Sequence, residues 1–173
     1  TASSETSVSL RSGGAIGSSD LLNPLPGQNV NALDLNVDVV SASAMAGIYL
    51  REVAAGGGLT VSNVDAVTVS IDGVQRSRFN SSNTNAGQSR TVAALEDLAT
   101  TSGPVKLVTE NGTIVLNGGD DSTGLSAGGS GDVLLEARGG DVNVNADVVS
   151  GTGNVTLEAN NDLAVNSAVA TGG

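Results

Sequence analysis

Near the C-terminal end of the chain, apolar and polar side chains alternate over short runs. In residues 133–137 (VLLEA), Val133, Leu135 and Ala137 fall on one side, and Leu134 and Glu136 on the other. A period of two predicts a strand with one face buried. Val144, flanked by Asn143 and Asn145, continues the same alternation. The runs are 4–6 residues long and end at Gly-Gly, Asn-Asn or Gly-Thr-Gly. That length is too short for helices and normal for strands.

The runs also repeat. Residues 132–153 (DVLLEARGGDVNVNADVVSGTG) align with 154–173 (NVTLEANNDLAVNSAVATGG) with two single-residue gaps. Val133, Leu135 and Ala137 match Val155, Leu157 and Ala159. Val142 and Val144 match Leu163 and Val165, and Val148 matches Ala168 or Val169. Each unit is a pair of alternating runs, a third short run and a Gly-rich turn. Paired runs upstream start 8 or 9 residues apart as well: 8 to 16, 59 to 67, 105 to 114, 133 to 142 and 155 to 163. A sixth unit begins at Leu33/Leu35/Val37 and continues through Val39-Val40 to Ile48/Leu50.

The steps between repeat starts are 22 residues (133 to 155), 28 (105 to 133) and 46 (59 to 105), and the long step predicts an insertion. Residues 74–103 break the pattern. Within them the spacing of Val92, Leu95 and Leu98-Ala99 predicts one short helix or turn over 91–100, with Thr91 as its cap. Residues 20–31, set by Pro24, Pro26 and Gly27, form a second inserted loop, and the Gly-rich residues 117–131 a third.

A unit of this size with three short strands cannot bury its own apolar face, but stacked units bury a continuous column. The predicted fold is therefore all-β: a parallel β-solenoid over residues 1–173 as a single segment, with one coil per repeat and a loop or short-helix insertion. About six coils would extend roughly 30 Å. The alternative is an antiparallel β-sandwich, which also uses short alternating strands. Two aligned repeats and the lack of bulky side chains favour the solenoid.

Composition sharpens this picture. The 173 residues include 24 Gly but no Trp, one Phe and one Tyr, so the core must be aliphatic. With no His and no Cys, the chain contains no Ser-His-Asp or Cys-His triad, no disulfide and no zinc-thiolate site. The net charge of -11 argues against nucleic-acid phosphates or an anionic membrane surface as partners. No apolar run reaches the length of a membrane-spanning helix. The start at Thr1 and the end inside a repeat fit a fragment of something longer.

The units GDVLLEARGGDVNVNADVVSGTGNVTLEANNDLAV resemble the repeats of filamentous-haemagglutinin-type adhesins and other giant bacterial surface proteins. Those repeats read roughly Gly-x-Val-x-Leu-x-Ala, then Gly-Gly-Asp-Ile. Gly131 to Ala137, Gly139 to Val142 and Asn154 to Ala159 are similar in style. The resemblance covers 131–173 well, 7–16 and 103–117 fairly, and 17–102 poorly. It implies a right-handed parallel β-helix in a long secreted rod, on or beyond the bacterial surface. Its partners would be adjacent repeats of the same polypeptide and a host or neighbouring-cell receptor or glycan.

Several residues are candidates for chemistry. Asp120-Asp121, in GGDDSTG, are paired carboxylates of the kind that perform acid–base work in β-helix polysaccharide enzymes. A solvated Gly-rich loop is the favoured reading, because no aromatic platform lies near in the sequence. Gly128 to Leu134 is similar to the calcium nonapeptide GGxGxDxUx but is one residue short before Asp132 and occurs once. Calcium is thus a possible cofactor, with Asp120, Asp121 and Asp132 as candidate ligands alongside Asp141. Asn143, Asn145, Asn160, Asn161 and Asn166 are placed to stack between coils. Arg76, Arg78, Phe79 and Arg90 are the candidate binding residues, either contacting an acidic partner or anchoring the loop through Phe79. The expected role is non-catalytic. The alternatives are a polysaccharide-acting enzyme and a calcium-dependent extracellular module.

Overall fold

In a strand with one buried face, every second residue must leave water. In the computed structural model, Val133, Leu135 and Ala137 are buried while Leu134 and Glu136 are half-buried, as the alternation requires. The structure describes residues 5–18, 31–71 and 88–172. Among them no residue is helical and the chain is all-β.

The strands are β1 (Ser7–Ser12), β2 (Leu33–Leu35), β3 (Val39–Ala44), β4 (Ile48–Glu52), β5 (Leu59–Val61), β6 (Val67–Ile71), β7 (Gln88–Val92), β8 (Leu98–Thr100) and β9 (Val105–Thr109). They continue with β10 (Ile114–Leu116), β11 (Thr123–Ala127), β12 (Val133–Ala137), β13 (Val142–Val144), β14 (Asp147–Ser150), β15 (Val155–Ala159), β16 (Leu163–Val165) and β17 (Val169–Thr171). The chain divides into two units, Thr1–Val64 with Leu95–Gly173, and Asp65–Ala94.

The larger unit holds two parallel sheets. One is five-stranded, in the order β15-β12-β9-β4-β2. The other is ten-stranded, β16-β13-β10-β5-β3-β8-β11-β14-β17, with β1 also on β3. β3 joins the two halves of the larger sheet: Val39 and Val40 pair with β5, and Ala42 to Ala44 pair with β8. From β9 onward the chain visits the same three positions in turn, so β9-β10-β11, β12-β13-β14 and β15-β16-β17 form three successive tiers.

Like residues meet across the tiers. Ile48, Val105, Val133 and Val155 are register partners, as are Leu50, Leu107, Leu135 and Leu157. Leu59, Ile114, Val142 and Leu163 form a second column, and Ala42, Leu98, Leu125, Val148 and Val169 a third. The core is built from these columns and is wholly aliphatic. Burial depends on having a neighbour on each side. Val142 is fully buried, whereas its partner Leu163 in the last tier is 48% exposed.

The corners are closed by hydrogen bonds within and between tiers. Thr109 Oγ1 donates to the Gly112 carbonyl at 2.6 Å, Thr100 Oγ1 to Gly103 at 2.7 Å and Ser150 Oγ to Gly131 at 2.9 Å. Buried Glu52 accepts the Ala54 and Val37 N–H groups at 2.8 and 3.2 Å. Backbone stacks on backbone at Gly131 and Gly153: a Cβ would lie 2.1 Å from the Gly103 oxygen and 2.2 Å from the Gly131 oxygen, respectively. An asparagine ladder runs up one corner. Asn145 donates to Asn117 at 3.1 Å and Asn166 to Asn145 at 2.9 Å. Asn160 bonds its sequence neighbour Asn161, and Asn143 stands between Val115 and Ala164. Asp132, Asp141 and Asp147 each accept a backbone N–H from the next tier, from Asn154, Asp162 and Ala168.

The smaller unit is an antiparallel pair, β6 with β7, in which Val67 faces Val92 and Val69 faces Arg90. Four expectations are corrected here. No helix forms over 91–100: β7 ends at Val92, Leu95 bridges Val64, and Leu98 begins β8. The spacing of Val92, Leu95 and Leu98 suits a helix, but pairing of Leu98 with Ala42 and Leu125 overrides local preference. Residues 117–131 are not a plain loop, since β11 lies inside them. The 59-to-67 pairing of runs is not a repeat unit, because β6 pairs with β7 outside the two parallel sheets. The match of Val105 to Ile114 is instead Ile48 to Leu59. The 8-to-16 pairing also fails: β1 lies beside β3, whereas Ile16 bridges Ile48. The two large sheets are parallel throughout, unlike those of an antiparallel sandwich. Most of the expected 20–31 insertion lies outside the described residues.

Two outcomes follow from this arrangement. Leu135→Ala removes a buried column member and is expected to cost about 2–5 kcal/mol in chemical denaturation, while Leu134→Ala, on the opposite face, should cost about 1 kcal/mol or less. Asp147 accepts bonds from the Ser167 hydroxyl, the larger influence, and the Ala168 N–H, which hold its carboxyl below its usual 3.8. A lowered carboxyl stabilises the fold above 3.8 and loses that contribution as pH falls through the folded value. The melting-temperature gap between the wild type and Asp147→Ala should therefore be constant near neutral pH and close below pH 3.8.

Candidate functional site

The parallel ladder is interrupted between β5 and β8, where the chain leaves for the smaller unit and returns. Val64 and Leu95 bridge there through two backbone hydrogen bonds, 2.7 and 3.1 Å. Glu96 and Asp97 come next and directly precede β8. Their position is fixed from below, because the Ala42 N–H donates to the Asp97 carbonyl at 2.8 Å. From above comes the loop between β10 and β11, residues 117–122. Its Asp120 N–H donates to Glu96 Oε2, and Asp121 Oδ1 accepts the Thr123 N–H at 2.6 Å. Gly119 makes this contact possible, since a Cβ there would lie 2.0 Å from Glu96 Oε2.

Three carboxylates thus converge. One oxygen each of Glu96, Asp97 and Asp121 lies within 4.8 Å of the other two. Glu96 and Asp97 are half-buried and Asp121 is exposed. Burial, with smaller contributions from the charges of Asp121 and Glu96, pushes the Asp97 carboxyl up to about 6. Asp97 Oδ1 is buried without a hydrogen-bond partner, and so is Ser41 Oγ; among the described residues these are the two such side-chain atoms. An acidic set of this kind offers oxygen ligands suited to a hard cation.

A second charged group lies on the outward face of the five-stranded sheet. Arg51 pairs with Asp34 at 2.8 Å and approaches Glu110 at 3.9 Å, and Arg138 pairs with Glu110 at 2.8 Å and Glu136 at 2.7 Å. The hydrogen bond from Arg51 holds the Asp34 carboxyl below its ordinary value. This is an internally matched network that ties strands together.

Of the sequence-derived calcium candidates, only Asp121 joins a cluster. Asp120 is exposed and contributes its backbone N–H, while Asp132 accepts both the backbone and side-chain N–H groups of Asn154 at 2.7 and 3.2 Å. Arg90 is exposed on β7 opposite Val69, in a shallow recess lined also by Gln88 and Ser89. Arg76, Arg78 and Phe79 lie outside the described residues. Glu96, Asp97 and Ser41 carry no motif. Their signal was the pair of acidic residues directly before an apolar column member, which reads equally well as the wet face of a helix.

Comparison of the chain with protein-family models, curated proteins and solved structures gave no match.

Proposed function

We propose that the larger unit is a right-handed parallel β-solenoid and that the chain is a non-catalytic structural and adhesive rod segment of a large secreted bacterial cell-surface protein. The observation that carries this reading is the in-register stacking of like residues, such as Leu50, Leu107, Leu135 and Leu157, across successive tiers. Each tier contacts only its neighbours, so tiers can be added without redesigning a core. A structure of that kind suits a stiff spacer. The likeness of residues 131–173 to filamentous-haemagglutinin-type repeats supports the surface setting. So does the absence of cysteine and histidine, which leaves little catalytic chemistry to explain.

In this reading adjacent tiers of the same polypeptide are the main partners. A host or neighbouring-cell receptor or glycan is met at the inserted unit, Asp65–Ala94, which breaks the repeat and exposes Val67, Val69 and Arg90. The net charge of -11 keeps laterally neighbouring rods apart. An antibody raised against the chain is expected to label intact, unpermeabilised cells of the source bacterium, and the purified chain is expected to release no reducing ends from a panel of polysaccharides. Labelling only after permeabilisation would overturn the surface role. Glycan cleavage that Asp120→Asn or Asp121→Asn abolishes would replace it with the enzymatic reading.

A further inference from the structure

We propose that Glu96, Asp97 and Asp121, backed by the Ser41 hydroxyl, form a calcium site that ties the segment before β8 to the loop before β11. The inference stands apart from the rod reading, because it rests on side-chain geometry within the larger unit alone.

The first observation is the convergence of three carboxylate oxygens within 4.8 Å of one another. Oxygens bound to a single calcium ion at about 2.4 Å lie at most about 4.8 Å apart, so the three are close enough for small side-chain adjustments to bring them into one coordination sphere. The second observation is independent of the acidic cluster. Ala42 and Leu98 are register partners and both face the core, fully buried. Ser41 directly precedes Ala42 on β3, where alternation turns it away from the core, and Asp97, whose carbonyl accepts the Ala42 N–H at 2.8 Å, directly precedes Leu98, so the two backbones are adjacent where the sheet passes from β3 to β8. Ser41 is 0% exposed, yet its hydroxyl has no partner, and Asp97 Oδ1 has none either. Buried polar atoms are ordinarily satisfied. Two orphaned oxygens at this junction, one of them within the carboxylate cluster, leave lone pairs that a cation would satisfy.

Among the described residues the salt bridges of Arg51 and Arg138 lie on the five-stranded sheet, and none of them reaches Glu96, Asp97 or Asp121. A divalent cation would complete the set with three carboxylates and one hydroxyl, leaving the exposed Asp121 side open for water. Calcium suits an all-oxygen set with irregular spacing better than magnesium, which demands a near-ideal octahedron. Gly119 and the Asp120 N–H hold Glu96 in place, and Asp121 is positioned by Thr123. The ligands thus come from three segments, β3, the residues before β8 and the loop before β11, and binding would cross-link them.

The test is calorimetric titration of the chelator-stripped chain with calcium chloride, alongside thermal unfolding in EDTA and in calcium. One ion per chain is expected, with a dissociation constant of about 10⁻⁵ to 10⁻³ M. Saturating calcium should raise the melting temperature by about 4 °C or more, reversibly with EDTA. Asp97→Asn and Asp121→Asn should each weaken binding at least about tenfold, a loss of about 1.4 kcal/mol. In EDTA Asp97→Asn should be at least as stable as the wild type, because it removes a buried unpaired charge, so a lost calcium response there is not a folding failure. Asp132→Asn, which removes an acidic residue outside the cluster, should respond like the wild type. No binding heat and no thermal shift at about 5 mM calcium would overturn the site. An undiminished shift in Asp97→Asn or Asp121→Asn would also overturn it, since the effect would then be general screening of an acidic chain.

Discussion

A three-residue strand such as Leu163–Val165 has too little surface to bury anything by itself. Its register partners one tier earlier, Val142 and Val144, are fully buried, while Leu163 and Val165 remain 48% and 46% exposed. The difference is the presence of a neighbour on both sides. Stacking of tiers in strict parallel register is therefore the constraint from which the rest of the larger unit follows. It requires small aliphatic residues, because a column repeats every strand spacing of about 4.8 Å and a bulky ring would have to be matched in each tier. The missing aromatics are a consequence of that repeat.

The same constraint governs the corners. Where the chain turns, backbone passes directly over backbone, and Gly131 and Gly153 occupy points where a Cβ would collide with a carbonyl of the tier below. Polar groups that the turns bury are satisfied locally by Thr100, Thr109 and Ser150, while Asn117, Asn145 and Asn166 satisfy one another along the stack. Asp132, Asp141 and Asp147 accept N–H groups of the following tier, so part of the acidic charge also has a structural use. The exception is the break between β5 and β8. There Ser41 and Asp97 keep unpartnered oxygens, and Glu96, Asp97 and Asp121 gather their carboxylates with no salt bridge among the described residues.

The repeats at 133–137 and 155–159 were legible because alternation, length and spacing all agreed, and their register is the one the alignment gives. β11 was not legible. Leu125 and Ala127 are its only two core positions in a Gly- and Ser-rich run, and the partners of Leu125, Leu98 and Val148, are 27 residues before and 23 after it. The segment 91–100 misled for the opposite reason, since its apolar spacing suits a helix and only long-range pairing makes it extended. The acidic cluster lay deeper still. Asp121 was visible as part of an acidic pair, but Glu96, Asp97 and Ser41 come together only through the junction at β3. No local pattern encodes that junction.

Register between tiers can be read directly by cross-linking, because the chain has no cysteine of its own to interfere. Leu134 and Thr156 are outward-facing register partners on β12 and β15, while Glu158 lies on the same face two residues further along β15. Cysteines at 134 and 156 should oxidise readily to an intramolecular disulfide, since their Cα atoms would be about 4.8 Å apart. Cysteines at 134 and 158 should not, because the diagonal exceeds the disulfide limit of about 7 Å. Equal cross-linking of both pairs, or preference for 134 with 158, would contradict in-register stacking and with it the account of how this chain buries its core.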